Sequence, residues 1–434
     1  MDEDRTSSQA GYQKAKWRIL FATMFCYLFY YTGRQTLGFA IPGIEQELGL
    51  SKTTLGYFGT ALLWAYAVGQ AINGNLGDKY GGRLMMSLGA ILSCAFNWVV
   101  SFGSGFLSLF VPWVGNGYVQ SMGWAPGSRV LSNWWGHHER GRAFGFYIFA
   151  AGMSSVLAFV TSLVVLDVLK LNWRWIFRLP VLLMLLGGVA YYLIVRDRPE
   201  DLGYEPPADP GGEELDEASS EKAVGEVVET SLQRYKTVLK NWRFMAACIA
   251  IGFQSSARYG LLIWVPVHFL GESWKTSGAK WISIALPVGM ALGAVTGGWV
   301  SDKVFNSVRW KLISLFMTLG AIASMIMYFL PREHSAGIMV LFMCGFFAYG
   351  SQSAFWALAP DLLSNKRAGT GIGIMDFFAY LFAGLVCPLI GRIIETCPVF
   401  DPVTNTMVDN TALVFPVVAV ACLASALIGL AIRR

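Results

Sequence analysis

Arg34 stands inside an apolar run, in the stretch YLFYYTGR, and Arg258 stands inside another, in RYGLLIWVP. A guanidinium keeps its charge at any pH a protein meets, so placing one at bilayer depth is expensive. Such a residue faces a partner or a water-filled path, not hydrocarbon. Its planar fork donates two parallel hydrogen bonds, which suits a carboxylate, sulfonate or phosphate. The two arginines are 224 residues apart, and the offset recurs: Asp78 in GNLGDK and Asp302 in GWVSDK are also 224 apart. Trp17-Arg18 and Trp242-Arg243 differ by 225. Matching offsets of this kind mark two tandem halves, each with one arginine at the same depth.

On an uninterrupted helix, Tyr27, Tyr30, Tyr31 and Arg34 share one face, lined by rings and hydroxyls. Arg258 repeats the arrangement, with Gln254 one turn before it and Tyr259 beside it. Each arginine has two readings: half of an intramembrane ion pair, or half of an anion clamp. Acidic residues in the apolar runs are scarce, Asp376 being the clearest, and the symmetric placement favours the clamp. By the same spacing Gln120 pairs with Trp124, Tyr349 lines up with Gln352, Ser353 and Trp356, and Asp376 lies one turn from Tyr380. Packing explains the aromatic members equally well. A carboxylate in an apolar span points to function, either pairing with an arginine between ligands or carrying a proton.

Other chemistry is sparse. The histidines (137, 138, 268 and 334) lie in loops or near span ends without metal-ligand spacing. Cysteines 26, 94, 248, 344, 387, 397 and 422 form no C-x-x-C pair and read as small core hydrophobes. No nucleotide loop or nucleophile–base arrangement appears, so neither an enzyme, a cofactor nor a metal is expected. The net charge of +5 comes without a basic patch, and no nucleic acid is expected as partner.

The elements that must hold these residues are membrane spans. The chain is 55% hydrophobic and only 14% charged, with a mean hydropathy of +0.49, where a soluble domain carries about 25% charge. Apolar runs of span length fall near 17–42, 54–76, 84–104, 107–131, 143–168, 175–195, 244–270, 278–300, 311–330, 336–359, 369–394 and 412–432. The expected class is therefore an all-α membrane protein, twelve transmembrane helices in two pseudo-symmetric six-helix bundles. The halves are residues 1–195 and 244–434; the polar stretch 196–243, with EPPADPGGEELDEASSEK, reads as a flexible linker. With both termini and the linker in the cytoplasm, that side holds 23 of 33 basic residues and the opposite side 8, which favours this orientation. The polar N-terminus lacks the pattern of a cleaved signal peptide.

Within this frame, Gly74-Asn-Leu-Gly-Asp78-Lys-Tyr-Gly-Gly-Arg83 resembles the G-x-L-a-D-r-x-G-r-k/r loop of the major facilitator superfamily, echoed in part up to Asp302. The resemblance implies a gating latch built from Gly74, Asp78, Arg83 and Asp302. More narrowly, YYTGRQTLGFAIP, GYVQSMGWAPGSRVLSNWW with ERGR, RYGLLIWVP and RDRPEDLGY resemble the organophosphate:inorganic phosphate antiporter family. The likeness runs from Trp17 to the last span. It places the family's paired arginines on Arg34 and Arg258, its cavity tyrosines on Tyr27, Tyr31, Tyr66, Tyr349 and Tyr380, and its span-4 tryptophan on Trp124. Gln70 stands where glycerol-3-phosphate transporters carry a lysine, Ala151 where they carry a histidine, and Ile263-Trp264 replaces an Asp-Trp pair. Such a site holds less positive charge, which leaves a carboxylate or sulfonate open beside a phosphorylated solute.

The implied function is alternating-access transport of a small anionic solute, a phosphorylated one exchanged for inorganic phosphate. Arg34 and Arg258 form the clamp, with Gln70, Gln254, Gln352 and Asp376 around it. Two alternatives are an H+-coupled symporter of a sugar acid or sulfonate, and a transporter-like sensor. The expected setting is the lipid bilayer of a bacterial inner membrane, where a monomer suffices.

Overall fold

The computed structural model describes residues 2–50, 52–207, 229–270, 280–331, 334–401, 406–408 and 410–433. The helices are α1 Asp2–Leu28, α2 Leu37–Leu48, α3 Lys52–Tyr80, α4 Gly82–Ser101, α5 Phe106–Gln120, α6 Trp124–Trp134, α7 Arg140–Leu163 and α8 Pro180–Ile194. They continue with α9 Ser231–Lys240, α10 Trp242–Leu270, α11 Lys280–Lys303, α12 Arg309–Phe329, α13 Gly337–Gly350, α14 Gln352–Leu363, α15 Ala368–Thr396 and α16 Val414–Ala431. Helix occupies each of the twelve predicted spans, as expected of an all-α membrane protein. Among the described residues, eight helical segments are long and apolar enough to cross a membrane. The others have local reasons. The first span breaks after Leu28 and the fourth between Gln120 and Trp124. The second is diluted by Gln70, Asn73, Asn75 and Asp78, and the eighth, α11, adjoins residues outside the description.

The chain forms two compact units, Met1–Leu239 with Ala359–Phe377, and Lys240–Leu358 with Phe378–Arg434. In the first, α3 packs on α5, α4 on α5 and α8, and α1 on α7 and α8. One buried cluster gathers Phe58, Leu62, Leu109, Trp113, Trp173 and Phe177, with the Trp113 indole donating to the Phe58 carbonyl at 3.1 Å. In the second unit α11 packs on α13, and α16 on α10 and α12. Lipid gives apolar helices no hydrophobic reason to associate, so close backbone approach must hold them. Gly289, Gly293 and Gly297 make that approach on α11: a Cβ at any of them would overlap a carbonyl oxygen of Phe342, Phe346 or Gly350. Gly293→Val is accordingly expected to push α11 off α13 at a cost of about 1–3 kcal/mol. A thermal melt in detergent reads this as a lowered midpoint, and an unchanged midpoint would remove the glycine stripe from the account.

Large apolar side chains cover the outside, Trp64, Leu107, Val111, Phe329, Met339, Val420 and Leu427 among them. Water would penalise such a surface, whereas lipid tails solvate it. Six described cysteines are unbonded thiols, five of them buried and Cys397 exposed.

Three features depart from the sequence reading. Part of the linker is ordered: a 3-10 turn at Pro199–Leu202 and the amphipathic α9, whose Tyr235 hydroxyl donates to the Ala71 carbonyl at 2.7 Å. The rest of that polar stretch, 208–228, lies outside the described residues. Between the last two helices β1 (Val399–Asp401) pairs antiparallel with β2 (Thr406–Val408), Phe400 opposite Met407. Finally, several spans are not single helices, which changes how the site residues are presented.

Candidate functional site

In the first unit α1 stops at Leu28 and the chain turns through a 3-10 segment, Tyr30–Gly33, with Arg34 at its end. The uninterrupted face drawn through Tyr27, Tyr30, Tyr31 and Arg34 therefore does not exist. Tyr30 is withdrawn from any ligand: its ring stacks on Tyr27 at 5.2 Å and its hydroxyl donates to the Met86 carbonyl at 2.5 Å. Arg34 lies face-on against two rings, its guanidinium carbon 3.9 Å from the centre of Tyr31 and 4.6 Å from that of Tyr66. Tyr27 touches Tyr31 and Trp124 edge to face, at 5.9 and 5.3 Å. It also lies within electrostatic range of Tyr66, Arg34 and Asp376. Residues from α1, the turn, α3, α6 and α15 thus converge within one unit.

Gln70, one turn along α3 from Tyr66, is fully buried, and neither its amide oxygen nor its nitrogen has a hydrogen-bond partner among the described residues. A buried amide normally has partners. Asp376 is 5% exposed on α15, three residues from Gly373, whose missing side chain lets α15 lie against the Gln70 backbone. Sequence reasoning missed Tyr147: its ring stacks parallel on Trp124 at 4.4 Å and meets Tyr27 at 5.0 Å. Nothing in its local sequence distinguishes it from a packing aromatic. Gln120, expected beside Trp124, is turned away by the break at Ser121–Gly123 and donates to the Tyr30 carbonyl and Ser93 hydroxyl.

In the second unit Arg258 lies in the uninterrupted α10, so it does not repeat the broken-helix setting of Arg34. Its chemistry nonetheless matches, with the guanidinium carbon 4.4 Å from the Tyr349 ring centre and 5.0 Å from that of Tyr259. Tyr259 in turn contacts Tyr380 at 5.9 Å. Gln254 donates to the Ala348 carbonyl at 2.7 Å and is buried, as is Gln352 at the start of α14. The break at Ser351 separates Tyr349 from Gln352, Ser353 and Trp356, so the face expected of these four is interrupted.

The glycine-aspartate loop makes a dense set of contacts within the first unit. Gly74 on α3 leaves no room between its Cα and the backbone of Gly369 and Gly373 on α15. One turn on, Asp78 accepts the Gly369 and Thr370 N–H groups at 2.9 and 2.7 Å, and the Thr370 hydroxyl at 2.6 Å. Arg129 forms an ion pair with it at 3.0 Å. A carboxylate thus caps the N-terminus of α15 from another helix, satisfying orphan donors and the helix dipole together. Arg83 donates its backbone N–H to Asp197 at 3.0 Å and its Nε to the Tyr192 carbonyl at 2.7 Å. In the second unit Asp302 pairs with Arg309. The structure also ties down the His137-His138-Glu139-Arg140 loop: wholly buried Arg140 pairs with Asp361, and His137 Nδ1 lies 3.0 Å from the same carboxylate. Glu47 on α2 accepts from Arg174 and from the Trp173 indole at 2.7 Å each, and these donors hold its carboxyl below the usual range.

Comparison with known proteins agrees with this architecture. The Major Facilitator Superfamily profile matches residues 23–388. A probable hexose phosphate transport protein of Chlamydia pneumoniae is 27% identical over 407 residues, covering 91% of this chain and 88% of that protein. A glycerol-3-phosphate transporter of Bacillus subtilis is 27% identical over 390 residues, 87% of this chain and 86% of that one. The membrane sensor protein UhpC of Escherichia coli is 23% identical over 398 residues, 91% and 89% of the two chains. Among solved structures, the E. coli fucose:proton symporter aligns with a TM-score of 0.68 at 13% identity, over 96% of this chain and 98% of that one. These relatives are membrane transport proteins and one membrane sensor, not enzymes, and the resemblance to the organophosphate:inorganic phosphate antiporters is matched by their names. The chain belongs to the major facilitator superfamily.

Proposed function

We propose that the protein exchanges a phosphorylated solute for inorganic phosphate by alternating access, with Arg34 in the first unit and Arg258 in the second binding the anion. The observation that carries this is the common setting of the two arginines, each with its guanidinium carbon within 5.0 Å of two tyrosine ring centres. Aromatic rings around a guanidinium favour its cation, and the planar N–H fork of that group suits an oxyanion. Gln70 adds a buried amide suited to a neutral oxygen, and Tyr27, Tyr31, Tyr66, Trp124, Gln254, Tyr349, Gln352 and Tyr380 line the route. The names of the relatives, hexose phosphate and glycerol-3-phosphate transporters, support the phosphate ester. A bound anion lowers the electrostatic cost of carrying two guanidiniums through the bilayer, so the loaded carrier reorients faster than the empty one. Exchange follows from that difference.

On this reading the six-helix halves 1–195 and 244–434 rock about the site, joined by 196–243. Both termini lie in the cytoplasm of a bacterial inner membrane, and a single chain is enough. Asp78 and Asp302 then act as latches. A second reading has one specific observation behind it: Asp376 is a carboxylate buried on a membrane helix within range of Tyr27, and could carry a proton in a symporter.

Counterflow separates the readings. Proteoliposomes loaded with inorganic phosphate are offered labelled hexose 6-phosphate, glycerol 3-phosphate, gluconate and an alkylsulfonate. Uptake of a phosphate ester that requires internal phosphate is the expected result. Uptake that ignores internal phosphate, follows an inward proton gradient and vanishes in Asp376→Asn would establish symport instead. Binding without uptake would place the chain with the sensors.

A further inference from the structure

We infer that Asn97, Asn116 and Gln120 are positioning residues for Arg34: a bracket of buried amides that holds the broken helix from which the arginine projects. The inference rests on the anion-binding reading of Arg34. Ending α1 at Leu28 exchanges its α-helical hydrogen bonds for a short 3-10 set, Thr32 N–H to the Phe29 carbonyl and Arg34 N–H to the Tyr31 carbonyl at 3.1 Å each. Backbone groups that lose their partners at membrane depth cost several kcal/mol. Side chains from three other helices replace those partners. Ser154 on α7 accepts the Tyr31 N–H at 3.0 Å. Gln120 on α5 donates to the Tyr30 carbonyl at 3.1 Å. Asn116 on α5 and Asn97 on α4 donate to the Gly33 carbonyl at 2.7 and 3.1 Å, so both its lone pairs are engaged.

The bracket is itself cross-linked. The Ser93 hydroxyl donates to Asn116 Oδ1 at 2.6 Å and accepts from Gln120 at 2.7 Å, while Asn97 reaches Asn116 Oδ1 at 3.2 Å. Asn97 and Asn116 are 0% exposed and Gln120 1%. Gly33 sits directly on this network: a Cβ there would lie 2.5 Å from Gln120 Nε2 and 2.8 Å from Ser93 Oγ. The Gly33 carbonyl and the Arg34 N–H belong to one peptide plane, so fixing that carbonyl fixes the start of the Arg34 side chain. A connected, low-dielectric network of this kind is stiff.

The other arginine shows what the bracket is for. Arg258 is held by the regular hydrogen bonding of α10 and needs no such support. An unbroken first helix would need none either, and the three buried amides of α4 and α5 would have no turn to hold. The break turns Arg34 out of the helical direction and onto Tyr31 and Tyr66, and the amides are the structural consequence of that turn.

The test is a double-mutant cycle on the full chain purified in detergent. The apparent Kd for inorganic phosphate is read from the phosphate-dependent rise in melting temperature. Asn116→Ala and Gln120→Met are each made in the native background, in Arg34→Lys, which keeps a charge and weak binding, and in Arg258→Lys. Each bracket substitution is expected to weaken phosphate binding about 10-fold in the native and Arg258→Lys backgrounds, and less than about 2-fold in Arg34→Lys. Gln120→Met leaves both bonds to the Gly33 carbonyl in place and keeps the test alive if Asn116→Ala fails to fold. Equal losses in all three backgrounds would make the amides merely structural and overturn the inference, as would intact phosphate binding in the bracket variants. Native phosphate affinity in Arg34→Lys itself would overturn the anion-binding reading first and this inference with it.

Discussion

Arg34→Lys is expected to reduce phosphate-driven exchange by at least about 10-fold while leaving the protein folded, and Arg258→Lys to do the same. Lysine keeps the positive charge, so electrostatics alone predicts a mild effect. The guanidinium supplies more than charge: a planar pair of donors matched to two oxygens of one anion, and a face that stacks on aromatic rings. At Arg34 the rings are Tyr31 and Tyr66, at 3.9 and 4.6 Å. An ammonium group has no planar face to set against a ring, and its three N–H bonds diverge, so it cannot present the fork's parallel pair to one anion. A hydrogen bond to a charged group is worth about 1.5–3 kcal/mol, which converts to a loss of roughly 10- to 150-fold. The measurement is initial counterflow rate in proteoliposomes, with protein quantity and melting temperature checked for each variant. Full exchange in either variant would refute the clamp, since charge alone would then suffice.

Asp78→Asn is the second large effect. The carboxylate accepts three hydrogen bonds from Gly369 and Thr370 and pairs with Arg129. Both charged residues are buried, 7% and 4% exposed. Asparagine brings an NH2 group against the N–H donors of α15, where it repels, and leaves Arg129 a buried cation without its carboxylate. Removing one member of a buried ion pair costs about 3–5 kcal/mol, far more than the pair contributes over an apolar replacement. The expected outcome is a melting temperature lowered by several degrees and exchange reduced by at least about 10-fold, as the arrangement that docks 359–377 loses population. The double variant Asp78→Asn with Arg129→Met should recover part of the melting loss, because the stranded cation is gone. A melt and an exchange rate both equal to the native protein's would show that the contact holds nothing. The loop motif would then be an ordinary turn.

How much of this was legible beforehand differs from residue to residue. The spans were readable because a bilayer core demands about 20 apolar residues in succession. Arg34, Arg258, Asp78 and Asp376 were readable for a related reason: a charge inside such a run is expensive and therefore conspicuous. The breaks at Phe29–Thr36, Ser121–Gly123 and Ser351 were not readable. Hydropathy sums over a window and does not register a hydrogen-bond ladder that stops and is resumed by side chains. Helical spacing then assigned Tyr30, Gln120 and Trp356 to faces that the interrupted helices do not present. Asn97 and Asn116 left a trace, as amides in apolar spans, but their purpose lies in a carbonyl 64 and 83 residues away.

By itself the sequence determined the class, the spans and the two arginines, because each is decided by local transfer free energy between water, lipid and a charged group. The tertiary structure alone decided where the helices break, that Gln120 supports the turn instead of lining the site, and that Tyr147 stacks on Trp124. It alone placed 359–377 beside Asp78 and Arg140, partners 221 to 292 residues distant along the chain. Contacts of that separation depend on how helices pack against one another, and packing is set by shape and hydrogen-bond geometry that no run of residues contains.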